Sequence, residues 1–173
     1  RRNVNAVEMQ DLEEARDKVR WGRERRSRTL DDEEKKLTSY HEAGHAIVLH
    51  LLEYAEPLHK VTIIPRGAAL GATMQLPEKD RYTQGERRLK DMIVGMMGGR
   101  AAEKIIFDEV TTGASNDIKQ ATHIARSMVC DWGMSPQLGP QSLSAREELL
   151  FLGREVSRTN DLSEETARKI DKE

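Results

Sequence analysis

The residues of this chain best suited to chemistry are five in a row, His41-Glu42-Ala43-Gly44-His45. On a helix, four steps of about 100° bring the second histidine to within roughly 40° of the first, so both imidazoles leave one face and can share a tetrahedral metal. Zinc suits that geometry best. Glu42 is rotated about 100° from His41 and lies beside the metal position, where a carboxylate can take a proton from water. This is the arrangement of a metal-assisted hydrolase. Ala43 and Gly44 are small enough to admit another backbone or a substrate next to the histidines.

A catalytic zinc needs a third protein ligand and an open fourth position. The two positions that would extend the motif to a glycine and a third histidine hold Val48 and Leu51, and no acid occurs between Glu56 and Glu78. The candidates are therefore the distant acids Glu78, Glu86, Glu103, Asp108 and Asp117. Asp117 follows Ser115, a natural helix cap, so backbone N–H groups would stabilise and aim its carboxylate. Glu103 is the chief rival, placed on a helix among Ala101, Ala102, Ile105 and Ile106. Spacing does not choose between them.

The elements that must position these residues are mostly helical. Asp31-Asp32-Glu33-Glu34 predicts an N-cap and a negative first turn for a long helix with an apolar stripe at Leu37, Tyr40, Ala43/Gly44, Ile47/Val48 and Leu51, ending before Pro57. His59–Ile64 and Ala72–Leu76 read as two short strands around the turn at 66–71. Thr83-Gln84-Gly85-Glu86 has capping-box spacing and opens a helix to about Met97. Gly98-Gly99 should break or kink it, with Arg100–Phe107 resuming as a second piece. Ser115 should cap the next helix, which carries Met128 and Trp132 into the core and stops at Gly133. Further helical stretches are expected at Arg146–Arg154 and, after Asp161 or Ser163, at Glu164–Glu173. An amphipathic helix is expected at Val7–Val19, followed by an arginine-rich connector over Trp21–Arg28.

The whole chain, 173 residues, has room for one ordinary domain. Its 28 basic and 30 acidic residues leave a net charge of −2, which argues against a protein that holds nucleic acid by neutralising phosphates. One cysteine, Cys130, excludes a disulfide scaffold and a multi-thiolate zinc finger. No apolar run approaches the roughly 20 residues of a membrane helix. No Gly-Lys pair occurs, so the phosphate-cradling loop of an ATPase is missing from these residues.

Taken in order, Tyr40-His41-Glu42-Ala43-Gly44-His45-Ala46, Ile64-Pro65-Arg66-Gly67, Leu70-Gly71, Thr73-Met74-Gln75-Leu76-Pro77, Gly98-Gly99-Arg100-Ala101-Ala102-Glu103, Thr112-Gly113-Ala114-Ser115-Asn116-Asp117 and Phe151-Leu152-Gly153-Arg154 resemble the peptidase domain of the FtsH family of ATP-dependent membrane zinc metalloproteases. Gln10-Asp11-Leu12-Glu13-Glu14-Ala15 resembles the last helix of that family's AAA+ module. The resemblance implies a mainly α fold with a small β-sheet, divided into residues 1–28, the end of the AAA+ module and a linker, and residues 29–173, a zinc peptidase domain truncated at its C-terminus. It implies that His41, His45 and Asp117 bind one zinc per chain, that Glu42 is the general base, and that Glu103 orients a zinc-binding imidazole. ATP would act only through the absent AAA+ module. The implied assembly is a homohexamer, anchored by its parent chain with the peptidase domain on the cytoplasmic side of a bacterial inner membrane, acting on unfolded or membrane polypeptides.

Ala68 and Ala72 stand where larger residues are common in the family, within a segment, Leu70-Gly71-Ala72-Thr73, that can offer a strand edge to an extended substrate. The rival expectation is a catalytically silent assembly domain of a hexameric ring, against which the intact His41, Glu42, His45 and Asp117 set argues.

Overall fold

A computed structural model of the chain describes residues 6–22, 30–65, 70–77, 79–143 and 162–173. Helices α1 (Met9–Trp21) and α2 (Asp32–Leu51) precede the strands β1 (Leu58–Thr62) and β2 (Ala72–Gln75). Helix α3 (Glu86–Phe107), a 3-10 turn (Thr112–Ala114), α4 (Ser115–Cys130) and α5 (Glu164–Lys172) follow. The fold is mainly α with one small antiparallel sheet, as expected. Among the described residues, no helix is long and apolar enough to cross a membrane. The expected helix at Arg146–Arg154, the Phe151–Arg154 motif, Asp161, Glu78, Ala68 and most of the arginine-rich connector lie outside the described residues.

Asp31 caps α2 as its sequence predicts, accepting the Glu34 backbone N–H at 2.7 Å, with Asp32, Glu33 and Glu34 in the first turn. The face that α2 buries meets the expected apolar stripe only at Gly44, however. Thr38, His41, Glu42, Gly44 and His45 are buried, while Ile47 and Leu51 are 61% and 77% exposed. A helix can turn polar groups inward when each meets a partner, and here the partners come from α3, α4 and the sheet.

The second departure is at Gly98-Gly99, where α3 runs through without a break. These glycines admit a neighbour; they do not end the helix. Added Cβ atoms would sit 2.4 Å from the Gly98 carbonyl oxygen at Gly44, and 2.7 Å from the Gly44 carbonyl oxygen at Gly98. The two backbones touch at this crossing, and Gly44 meets a backbone as its size predicts. Contacts of Leu49 with Gly95, Gly44 with Gly98 and Tyr40 with Phe107 run in opposite directions along the two helices, so α2 and α3 are antiparallel. The Tyr40 and Phe107 rings meet edge to face with centroids 5.6 Å apart.

Several helix ends also differ from expectation. Gly85, not Thr83, is the N-cap of α3, and its side-chain-free cap gives only the Leu89 N–H to Gly85 carbonyl bond at 3.1 Å. Ser115 is the first residue of α4, not its cap, because the 3-10 turn in front of it takes Thr111 as cap through a bond to the Gly113 N–H at 3.1 Å. Helix α4 stops at Cys130, which leaves Trp132 half exposed and outside the core. Gly133 has φ +59°, and a Cβ there would lie 2.8 Å from Pro140 Cα. The candidate cap Ser163 does start α5, accepting the Thr166 N–H at 3.2 Å.

In the sheet, Val61 pairs with Thr73 and Thr62 with Ala72, with an irregularity between Leu58 and Lys60. Met74 is the strand residue fixed inside, at 2% exposure. Helix α1 meets β1 through charge: Asp17, 1% exposed, accepts Lys60 Nζ at 2.6 Å. Val7, Leu12, Ala15 and Val19, whose spacing predicts one apolar side of an amphipathic helix, are exposed.

Candidate metal centre

The antiparallel crossing of α2 and α3 fixes the two histidines from behind. His45 Nδ1 lies 2.9 Å from the Gly95 carbonyl oxygen, which can only accept, so Nδ1 carries the proton and Nε2 keeps its lone pair. His41 Nδ1 lies 2.6 Å from Glu103 Oε1. That bond sets the same tautomer on His41. The other face of each ring looks into the gap left by Gly99, where a Cβ would fall 2.5 Å from His41 Nε2 and 2.6 Å from His45 Nε2. A side chain at Gly99 would close the space in front of both nitrogens.

Into that space α4 delivers Asp117. Its Oδ2 is 3.5 Å from His41 Nε2 and 3.6 Å from His45 Nε2, and the two Nε2 atoms are 3.0 Å apart. Ligand atoms on a tetrahedral zinc lie roughly 3.3–3.4 Å from one another, given bonds of about 2.0–2.1 Å. The donor set fits. The two imidazole Nε2 atoms and a carboxylate oxygen converge on one point, an arrangement that suits a cation. Among the described residues, His41, His45 and Asp117 are the group whose ligand atoms come together, within 4.8 Å.

The electrostatics agree with a site made for positive charge. Burial pulls both imidazoles toward the neutral form, but Asp117 acting on each, Glu103 on His41 and the Gly95 carbonyl on His45 outweigh it, and both pKa values are raised. Burial likewise resists ionisation of Asp117, yet the two imidazoles hold its carboxyl well below the usual range.

Glu103 is fully buried and uses both oxygens: Oε1 meets His41, and Oε2 accepts the Thr111 backbone N–H at 2.7 Å. It therefore ties a histidine to the turn that leads into α4 and Asp117. It lies behind His41, on the Nδ1 side, whereas Asp117 lies on the Nε2 side. The other distant acids are elsewhere, Glu86 paired with Lys90 and Asp108 with Lys104, both on the surface. His50, His59 and His123 are exposed, and His59 bonds to Arg16 at 2.9 Å.

Glu42 is buried on the sheet side of the same helix. Thr73 Oγ1 donates to its Oε2 at 2.6 Å, and a Cβ at Gly71 would lie 2.7 Å from its Oε1. Leu70, Gly71, Ala72 and Thr73 thus run past the carboxylate, with β2 paired only to β1 among the described residues. Gly71 and Thr73, expected at a strand edge, also contact Glu42, which nothing in their spacing signals. The Gly95 carbonyl and the gap at Gly99 do have a signal in the sequence, since glycines at positions 95, 98 and 99 have the i, i+3, i+4 spacing of one helix face.

Residues 28–173 match peptidase family M41. The chain is also 56% identical over 173 residues to an ATP-dependent zinc metalloprotease FtsH of Acidobacterium capsulatum, covering 100% of this chain and 27% of that protein. Proteins of the same description from Magnetococcus marinus and Caulobacter vibrioides are 54% and 53% identical over 96% and 100% of this chain, and 25% and 28% of their own lengths. The chain spans about a quarter of the length of these relatives.

Proposed function

The chain belongs to peptidase family M41, and from that premise we propose that it is the zinc-dependent proteolytic domain of a larger ATP-dependent protease. The observation that carries this reading is the convergence of His41 Nε2, His45 Nε2 and Asp117 Oδ2 on one point of the helix that bears Glu42. His41, His45 and Asp117 would hold the zinc, and Glu103 keeps the His41 ring turned toward it. Zinc bound there supplies a Lewis acid that polarises a carbonyl and acidifies water toward neutral pH.

The remaining chemistry falls to this chain's own side chains. Glu42 takes a proton from the attacking water on its carboxylate and delivers it to the departing amide nitrogen, so one residue serves as base and then as acid. The segment Leu70–Thr73, which leads into the outer edge of β2, receives an extended polypeptide by backbone hydrogen bonds, which sets the scissile bond beside Glu42 with little demand on side-chain identity. Such a site suits unfolded chains.

For the parent protein, the names of the relatives support ATP use through a module outside these residues. We read residues 1–28 as the end of that module and its linker, a division that the start of the family match at residue 28 favours. The exposed Leu12 and Val19 on α1, with Val7 just before the helix, suit that role as apolar surface for an adjoining module. A homohexamer, anchored with its peptidase domains on the cytoplasmic side of a bacterial inner membrane and drawing in unfolded or membrane polypeptides, is the assembly this reading entails.

The test uses the full-length protein, with zinc content and cleavage of an unfolded protein measured together. Glu42→Gln should keep zinc and lose cleavage by about 100-fold or more. Retained cleavage would remove Glu42 from its role. Asp117→Ala should lose the metal, and unchanged zinc content would remove Asp117 from the ligand set.

A further inference from the structure

We propose that Thr73 is a positioning residue for Glu42, holding the carboxylate in the one orientation from which it can exchange a proton with water and the leaving amide. This rests on the reading of Glu42 as the base. Thr73 lies in β2, opposite Val61, so its place is fixed by the sheet and not by α2. Its hydroxyl reaches across to α2 twice, with Oγ1 2.6 Å from Glu42 Oε2 and 3.2 Å from the Glu42 carbonyl oxygen. A hydroxyl has one proton, and the shorter contact to a carboxylate oxygen is where it belongs.

The consequence for Glu42 is a division between its two oxygens. Oε2 is committed to Thr73, while among the described residues no hydrogen bond reaches Oε1. Oε1 lies instead against Gly71, where a Cβ would come within 2.7 Å of Oε1 and of Cγ. Thr73 in the strand offers one donor and Gly71 just before it leaves one space, and together these define a single setting of a flexible side chain. A glutamate without them has three rotatable bonds and spreads over several rotamers. Positioning of this kind carries large effects on rate, since a displacement of about 1 Å can lower turnover on the order of 100-fold.

Because the strand that positions the base is also the one proposed to receive substrate, the two roles need separate readouts. Thr73→Val keeps the shape and removes the hydroxyl, while Thr73→Ser keeps the hydroxyl. In the zinc-loaded full-length protein, Thr73→Val should lower kcat about 10- to 100-fold, with KM within about twofold of wild type. Zinc content should be unchanged, and a crystal structure of the variant should show Glu42 out of its rotamer. Thr73→Ser should recover most of the turnover.

An unchanged kcat in Thr73→Val, or a raised KM with kcat intact, would overturn the proposal and leave Thr73 with only a strand role. Loss of zinc from Thr73→Val, or a serine variant as slow as the valine one, would also overturn it. Glu42→Gln measured alongside separates the two levels. If it still cleaves, the reading of the base fails and the proposal with it; if it is dead while Thr73→Val is fully active, only the proposal fails.

Discussion

His41 and His45 take their orientation from α3, a 22-residue helix, through the buried Glu103 carboxylate and the Gly95 backbone carbonyl. Glu42 stands between them in sequence but takes its orientation from a two-stranded sheet, through one hydroxyl and the space above one glycine. The first support is helix against helix with the backbones in contact. The second is a short strand that, among the described residues, is paired on one edge only. Adjacent residues thus depend on different parts of the fold, and the difference teaches that the two proposed roles, holding a metal and moving a proton, should be separable by substitution. The helix that carries all three is what they share.

That shared element is where the comparison should collapse, and with the largest effect. Gly98→Ala would place a Cβ 2.7 Å from the Gly44 carbonyl oxygen and 3.0 Å from His45 Cα. Neither atom is the end of a flexible side chain, so α2 and α3 must part. Overpacking of this severity costs about 3 kcal/mol, which for a domain of this size lowers Tm by roughly 6–12 °C. Zinc content and cleavage should fall together, read from metal analysis and thermal unfolding. A stable, fully metallated Gly98→Ala protein would show that the close crossing is not what sets the site.

Next in size is a substitution that should separate the two supports. Gly71→Ala brings a Cβ 2.7 Å from Glu42 Oε1 and Cγ, and here the neighbour is a side chain able to swing away. The expected result is a loss in kcat of about 10- to 100-fold with zinc retained and stability changed by less than about 1 kcal/mol. If zinc were lost as well, the sheet would be supporting the ligands too, and the division drawn above would fail.

The metal half of the site was more legible in the sequence than the half around Glu42, for a physical reason. Two histidines and a glutamate on one helix are related by helical geometry, which a sequence carries in its spacing, and the mainly α fold follows from the same periodicity. Asp117 comes from 72 residues beyond His45, and only resemblance singled it out from Glu103 before the structure brought its carboxylate to the two nitrogens. Thr73 and Gly71 reach Glu42 across a strand-to-helix contact that no periodicity encodes. Gly98-Gly99 was misread because a glycine pair weakens an isolated helix, while its use at a backbone crossing depends on Gly44, more than 50 residues away. The apolar stripe on α2 misled for the opposite reason, since burial there went to polar side chains whose partners lie on other elements.

The smallest and most selective effect belongs to Glu103→Gln. Glutamine can still accept the His41 Nδ1–H through its Oε1, but its amide nitrogen has no lone pair for the Thr111 N–H that Glu103 Oε2 receives at 2.7 Å. One donor in a buried place is left facing another, and either the amide turns away from His41 or the turn before α4 shifts and carries Asp117 with it. Both routes act on the ligands and neither touches Thr73 or Gly71. Zinc affinity, measured by competition with a chromophoric chelator, should weaken about 10-fold, the low end of what loss of an outer partner of a metal-binding histidine costs. At saturating zinc, kcat should stay within about twofold of wild type. A drop in kcat with the metal fully bound would mean that Glu103 also governs the proton-moving side, and the two halves of the site would have to be treated as one network joined through α2.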